Sequence, residues 1–144
     1  MKLKDLLRSK GSKVITARAD EEIQAAINRM IENKVGALVV VNDNGMPVGI
    51  FTERDVLRLA AENFSAMANK RVKDGMTTDI VVSVPEDDTD SCLAIMTERR
   101  IRHLPVIEGG RLVGLVSIGD IVKAEHANAE FEIRHLRDYI MGKY

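Results

Sequence analysis

The first half of the chain alternates between short apolar runs and longer amphipathic ones. A β-branched run at 14–16 predicts a strand, and apolar residues at helical spacing over 23–31 predict a helix. The uninterrupted apolar stretch 35–41 predicts a buried strand, which an Asn-Gly turn connects to a return strand at 48–51. A second helix is expected over 53–63. The order of elements is therefore β-α-β-β-α.

The second half of the chain repeats this order. Its strands are predicted at 80–84, 101–107 and 112–116, and its helices over 89–96 and 118–128. A Glu-Gly-Gly turn takes the place of the Asn-Gly turn. The pattern thus predicts an α/β (α+β) fold made of two tandem β-α-β-β-α repeats.

The two halves also match residue by residue. Val35–Val41 aligns with Ile101–Ile107 at an offset of 66 residues. After a one-residue deletion in the turn, Gly45–Asp55 aligns with Gly110–Asp120 at an offset of 65. Because glycines, hydroxyls and carboxylates coincide together, the chain is interpreted as two copies of one unit.

The repeats are expected at 3–66 and 67–126, with similar lead-in segments at 3–5 and 72–74. One unit of this length has a small core, so the two copies are expected to pack about a pseudo-twofold axis. That packing leaves a cleft on each side of the axis. Residues 127–144 lie outside the repeat and predict an amphipathic C-terminal helix, whose apolar stripe is expected to contact a second subunit.

Composition excludes several classes of protein. The chain has 144 residues with 21 Lys+Arg against 22 Asp+Glu, so it lacks the basic charge of a general nucleic-acid binder. Cys92 is the single cysteine, which excludes an intrachain disulfide and a cysteine-built metal cluster. No apolar run is long enough for a membrane span, and the first residues do not form a secretion signal. The expected location is the cytoplasm.

Two hydroxyl–carboxylate pairs lie where a predicted strand gives way to a helix: Thr52 with Asp55, and Ser117 with Asp120. One interpretation is a capping box, in which each pair satisfies the first amides of its helix. The other interpretation assigns the same geometry to a ligand. A helix N-terminus attracts phosphate, and a carboxylate can accept both hydroxyls of a ribose. The two interpretations are compatible.

The positive cluster at 99–103 is divided between two roles. Arg99 and Arg100 are expected at a solvated helix end. Arg102 and His103 open an apolar strand that points into the cleft, and strand alternation sends one of them to each face. The first repeat has Gly36-Ala37 at these positions. The two clefts are therefore expected to differ chemically.

No catalytic or metal-binding constellation emerges. His103, His126 and His135 lie too far apart along the chain to predict a metal site on one element. Asp55 and Asp120 occupy equivalent places in separate repeats, each beside its own hydroxyl, which argues against an acid/base pair. The two repeats also use nearly the whole chain. The protein is therefore not expected to be an enzyme.

These residues are similar to a known family. The doubled unit, the segments Gly49–Asp55 and Gly114–Asp120, and the run His103–Val106 resemble a tandem pair of CBS (cystathionine-β-synthase) domains. The resemblance covers about residues 3–126 and recurs in both halves. Such pairs form regulatory modules of IMP dehydrogenases, chloride channels and AMP-activated protein kinase. The chain resembles the stand-alone prokaryotic type, which has no enzyme attached.

The resemblance implies a non-catalytic sensor that binds an adenosyl ligand (AMP, ADP, ATP, NAD or S-adenosylmethionine) in the clefts. It also implies a homodimer and a regulated partner protein of unknown identity. The implied contacts are to ribose for Asp55 and Asp120, to phosphate for Thr52, Ser117, Arg102 and His103, and to adenine near Thr16 and Val82. Three alternatives stay open: an interaction module with vestigial clefts, a weak nucleic-acid binder and a small nucleotide hydrolase.

Overall fold

In a computed structural model, which describes residues 1–142, the predicted elements follow one another in the expected order, except that the strand at 80–84 is missing and each repeat is preceded by a short helix that was not predicted. The elements are α1 (Leu3–Lys10), β1 (Thr16–Ala17), α2 (Ile23–Asn33), β2 (Ala37–Val41), β3 (Pro47–Thr52), α3 (Glu53–Met67), α4 (Val72–Gly75), α5 (Thr89–Arg99), β4 (His103–Glu108), β5 (Arg111–Ser117) and α6 (Ile118–Ile140). The predicted α/β fold of two repeats with a C-terminal helix is confirmed.

The strands form one small sheet in each repeat. In the first, β1 pairs with β2 in parallel and β2 pairs with β3 antiparallel. In the second, β4 pairs antiparallel with β5. The register shifts between Val40 and Val41 in one sheet and between Val106 and Ile107 in the other. These positions differ by the same 66 residues that relate the two repeats, so the duplication extends to the irregularities of the sheets.

The predicted strand at 80–84 is wrong for most of its length. Only Ser83 pairs with β4. Its amide donates to the Pro105 carbonyl at 2.9 Å, and its carbonyl accepts the Ile107 amide at 2.8 Å. Pro85 follows two residues later and has no N–H with which to extend the pairing. The β-branched run therefore contributes a single bridge to the sheet.

Two helices run further than the pattern predicts. α3 continues past Asn63, whose backbone leaves helical geometry (φ −165°, ψ 95°), and ends at Met67. α6 is continuous across the predicted junction at 126/127. It joins the last helix of the second repeat to the predicted tail helix, because no glycine or proline interrupts the sequence there. Residues 143 and 144 of the predicted tail lie outside the described residues.

The lead-in helices are exchanged between the two cores. In α1, Leu3, Leu6 and Leu7 are buried against residues of the second repeat, namely Cys92, Met96, Leu104, Val106, Val116 and Ile121. In α4, Val72 is buried against residues of the first repeat, including Ala17, Ile23, Leu38, Phe51 and Leu59. Each repeat therefore completes its core with the helix that precedes the other repeat.

Equivalent contacts hold both exchanged helices. The Leu3 amide donates to the Asp87 carbonyl, and the Val72 amide donates to the Glu21 carbonyl, both at a distance of 2.9 Å. Gly114 makes room for α1, since a Cβ there would lie 2.6 Å from the Leu7 side chain. The exchange thus depends on backbone hydrogen bonds as well as on apolar packing.

The last third of α6 leaves the body of the protein. Ile133, Leu136 and Ile140 are all more than half exposed, although they form one apolar stripe along the helix. An exposed helix of this length gains little stability by itself in water. Among residues 1–142, no helix combines the length and apolar character that crossing a membrane requires.

Candidate functional site

A cleft of about 750 Å³ lies between the two repeats. The first turns of α3 and α6 both contribute to its walls, so the positive ends of two helix dipoles border the same space. The first amide of each helix is already bonded: Glu53 donates to the Gly36 carbonyl at 3.1 Å, and Ile118 to the Arg102 carbonyl at 3.0 Å. Five of the eight sequence-predicted site residues line this cleft: Thr52, Asp55, Arg102, His103 and Ser117. Thr16, Val82 and Asp120 are not among its wall residues.

Asp55 is held in the first turn of α3 with 7% of its surface exposed. One carboxylate oxygen, Oδ2, accepts the Thr52 amide at 2.9 Å and the Thr52 hydroxyl at 3.3 Å. The other oxygen, Oδ1, has only a long contact of 3.5 Å with Arg58. One carboxylate oxygen is therefore used for capping, while the second retains acceptor capacity beside the cleft.

Ser117 and Asp120 form the reciprocal capping box that the sequence predicts. The Asp120 amide donates to the Ser117 hydroxyl at 3.0 Å, and the Ser117 amide donates to Asp120 Oδ2 at 2.9 Å. The Lys10 ammonium from α1 donates to the same Oδ2 at 2.5 Å. Partial burial raises the pKa of Asp120, but the bonds from Lys10 and Ser117 outweigh it and leave that pKa below its usual value.

Arg102 and His103 lie on the repeat-2 side of the cleft, where β4 begins. The prediction that strand alternation separates them is wrong here, because Arg102 precedes the regular strand and both residues reach the cleft. Burial lowers the pKa of His103 most, and the nearby charge of Lys10 lowers it further. Asp120 opposes this shift, and the effects of Arg102, which lowers the pKa, and Glu53, which raises it, are smaller. The imidazole is therefore mainly neutral at pH 7.

Two arginines that line the cleft, Arg54 and Arg100, were not predicted as site residues from the sequence. Arg100 caps α5 in a left-handed conformation (φ 56°), as Lys34 caps α2 (φ 54°), and this turn points the chain toward the cleft. Arg54 follows the α3 N-terminus. The side chains of Arg54, Arg100 and Arg102 form no hydrogen bond or ion pair within residues 1–142, whereas Arg99 contacts Asp79 at 3.9 Å. For Arg100, a signal was present in the sequence: it aligns with Lys34 at the repeat offset of 66 residues, and both residues follow the equivalent helix.

The two residues around which adenine contacts are predicted, Thr16 and Val82, do not line this cleft. Thr16 pairs with Val39 in the first sheet, and its carbonyl accepts a bond of 3.0 Å from Arg29. Val82 is partly exposed and does not line the cleft, while Ile80 and Val81, directly before it, do. The apolar surface of the cleft thus comes from the same segment, displaced by one or two residues.

This architecture of two exchanged β-α-β-β-α repeats around a cleft defines a class of regulatory domain pairs, and the chain belongs to it. The CBS-domain family profile matches residues 3–62 and 70–127, so the protein is a member of the CBS-domain family. Both copies of the predicted tandem pair are therefore confirmed.

Similar proteins come from bacteria, archaea and plants. The crystal structure of the CBS-domain protein ATU1752 from Agrobacterium tumefaciens is 42% identical, with a TM-score of 0.83 over 87% of this chain and 99% of that one. The CBS pair of MJ0100, solved with 5′-methylthioadenosine and S-adenosyl-L-methionine, is 25% identical, with a TM-score of 0.77 over 89% of this chain and 98% of that one. The mitochondrial CBSX3 of Arabidopsis thaliana is 34% identical over 99% of this chain and 73% of its own length. The chain spans well under half of several other curated relatives.

Proposed function

We propose that the chain is a non-catalytic sensor that binds an adenosyl ligand (AMP, ADP, ATP or NAD) in the cleft beside Asp55. One observation carries the proposal: a recessed carboxylate with a spare oxygen shares a single cleft with three guanidinium groups that have no partner within residues 1–142. A ribose needs an acceptor and a phosphate needs donors, and this cleft offers both. Its volume lies in the range of small-molecule sites.

Each group of wall residues has a role in this proposal. Asp55 accepts the ribose hydroxyls through its spare oxygen. The phosphate lies toward the N-termini of α3 and α6, near Thr52 and Ser117, where the helix dipoles favour an anion. The guanidinium groups of Arg100 and Arg102 neutralise the charge of the phosphate, and the imidazole of His103 lies beside them.

The adenine ring packs against apolar residues at the other end of the cleft. Ile80 and Val81 supply that surface in place of Val82 and Thr16. The MJ0100 pair supports the class of ligand, because both compounds in its structure carry an adenosyl group. Asp120 is the equivalent ribose acceptor on the other side of the pair.

The sensor acts as a homodimer in the cytoplasm and passes its state to a partner protein. The exposed apolar stripe of α6 is the surface proposed for the second subunit. Ligand binding between the repeats shifts their arrangement by as much as the ligand's affinity differs between arrangements. No bond of the ligand is broken, so the ligand is released unchanged.

The first experiment identifies what the cleft binds. Compounds that copurify with the protein are released by denaturation and identified by mass spectrometry. The purified protein is then titrated calorimetrically with AMP, ATP and NAD. We expect Asp55→Ala to weaken binding by about 1.5–3 kcal/mol, which is roughly tenfold to a hundredfold. Asp74→Ala is the matched control, because Asp74 caps α4 through the Arg71 amide (2.8 Å) but does not line the cleft.

The outcomes separate the alternatives. Equal affinity of the wild type and Asp55→Ala would remove the proposed ribose contact. A lack of any bound compound and of any thermal shift with nucleotides would favour an interaction module with vestigial clefts. Conversion of ATP or NAD by a clean preparation would indicate an enzyme, and binding of RNA or DNA that weakens steeply with salt would indicate a nucleic-acid binder.

A further inference from the structure

The carboxylates of the duplicated motif have unlike partners. Within residues 1–142, Asp55 Oδ1 has only the 3.5 Å contact with Arg58, while Oδ2 accepts the amide and hydroxyl of its capping residue Thr52. Asp120 Oδ2 accepts both the Ser117 amide at 2.9 Å and the Lys10 ammonium at 2.5 Å. The lysine comes from the exchanged helix α1, far away in sequence. The second repeat thus brings a lysine ammonium to the capping oxygen of its carboxylate, whereas the nearest cation of the first repeat, Arg58, keeps a distance of 3.5 Å from the other oxygen of Asp55.

Lys10 also satisfies a backbone carbonyl that has a different partner in the first repeat. Its ammonium donates to the Leu115 carbonyl at 2.5 Å. The equivalent residue of the first repeat is Ile50, and its carbonyl accepts the Thr77 amide at 2.9 Å. A backbone amide fixed in a bridge cannot be withdrawn without moving the chain, whereas a lysine side chain can rotate away. The two equivalent positions therefore differ in how easily they open.

We propose that Lys10 closes the site at Asp120, so that each chain binds one ligand tightly in the Asp55 cleft and a second only after Lys10 is displaced. The inference rests on the proposed function. A ribose diol would donate to the carboxylate of Asp120, and the ammonium already donates to its Oδ2, although Oδ1 has no partner within residues 1–142. The ligand must therefore compete with a cation that is covalently part of the protein. The chain has one open site and one gated site.

The strength of the Lys10–Asp120 ion pair, which sets the effect of the gate, depends on how far its two side chains are exposed to solvent. The side chains of Lys10 and Asp120 are 36% and 28% exposed, so solvent screens their attraction. Ion pairs of this kind change an equilibrium by up to about fivefold to tenfold. Lys10 therefore weakens the second binding event without abolishing it, and a high ligand concentration fills both sites.

The test counts ligands per chain. The wild type, Lys10→Ala and Lys10→Met are titrated with AMP, ATP and NAD, and the bound molecules are counted by native mass spectrometry. We expect one tight event in the wild type and a second event that strengthens by about fivefold to tenfold in both variants. Lys13→Ala removes the same charge three residues later, where the lysine is exposed and unpaired within residues 1–142, and is expected to behave as the wild type.

The same titrations in an Asp55→Ala background isolate the second site, where the Lys10 variants should bind more tightly than Asp55→Ala alone by the same factor. Two equal sites in the wild type, or an unchanged second event in both Lys10 variants, would overturn the gate while leaving the proposed function intact. Equal strengthening by Lys13→Ala would also overturn it, because the effect would then be one of net charge. An absence of binding in every variant would overturn the proposed function and the gate with it.

Discussion

Removal of a leucine from an exchanged helix tests whether the two repeats unfold as one unit. Leu3 of α1 is 0% exposed and packs entirely against the core of the second repeat. A buried Leu→Ala substitution costs about 2–5 kcal/mol, which combines the lost transfer free energy with the cavity left behind. We expect Leu3→Ala to lower the free energy of unfolding by about 3 kcal/mol and the Tm by about 10 °C.

The distinctive result lies in where the stability is lost. Because α4 anchors the second repeat to the first core while α1 anchors the first repeat to the second, we expect the most protected amides of both sheets to lose protection equally in hydrogen exchange. Leu57→Ala is the control, since Leu57 is 72% exposed on α3 and should change stability by no more than about 0.5 kcal/mol. Protection lost at 104–121 but kept at 38–51 would refute the reasoning, as would two separate unfolding transitions in urea.

Two further predictions concern the cleft and the exposed helix. A bound phosphate raises the lowered pKa of His103, so the affinity for AMP should rise as the pH falls from 7 to 5.5. Protonation of the AMP phosphate also changes the affinity over this range. His103→Gln should remove the part of the rise that this protonation does not explain. An equal pH profile in both proteins would contradict this. Leu136→Glu should convert a dimer into a monomer in analytical ultracentrifugation, while Arg134→Glu on the same helix should not. A monomeric wild type would exclude the α6 contact.

The repeat, the order of elements and the hydroxyl–carboxylate pairs could be predicted because each has a local signal. Ser117 and Asp120 form the predicted capping box since its geometry is fixed within one turn of helix. The strand at 80–84 could not be predicted correctly, because β-branched composition does not reveal that Ser83 alone finds a partner. Local propensity was outweighed by the packing of the segments around it.

Contacts between segments that are distant along the chain could not be predicted from the sequence. Nothing in the pattern of α1 indicates that its leucines fill the core of the other repeat, or that Lys10 reaches Asp120. The lead-in similarity between 3–5 and 72–74 was visible, but similarity does not reveal which core receives each helix. Arg100 was assigned to a solvated helix end, although its left-handed cap brings it to the cleft wall.

The exchange of lead-in helices has a consequence for how such a chain could arise. A polypeptide with one copy of the unit would leave a gap in its own core, and only a second polypeptide could fill it. The present fold is therefore an intertwined dimer whose two members have been joined end to end. Once two copies are joined, each half can change without altering the other, which allows Lys10 to pair with one acidic residue of the duplicated motif while the equivalent residue, Asp55, has only a long contact with Arg58 among the described residues.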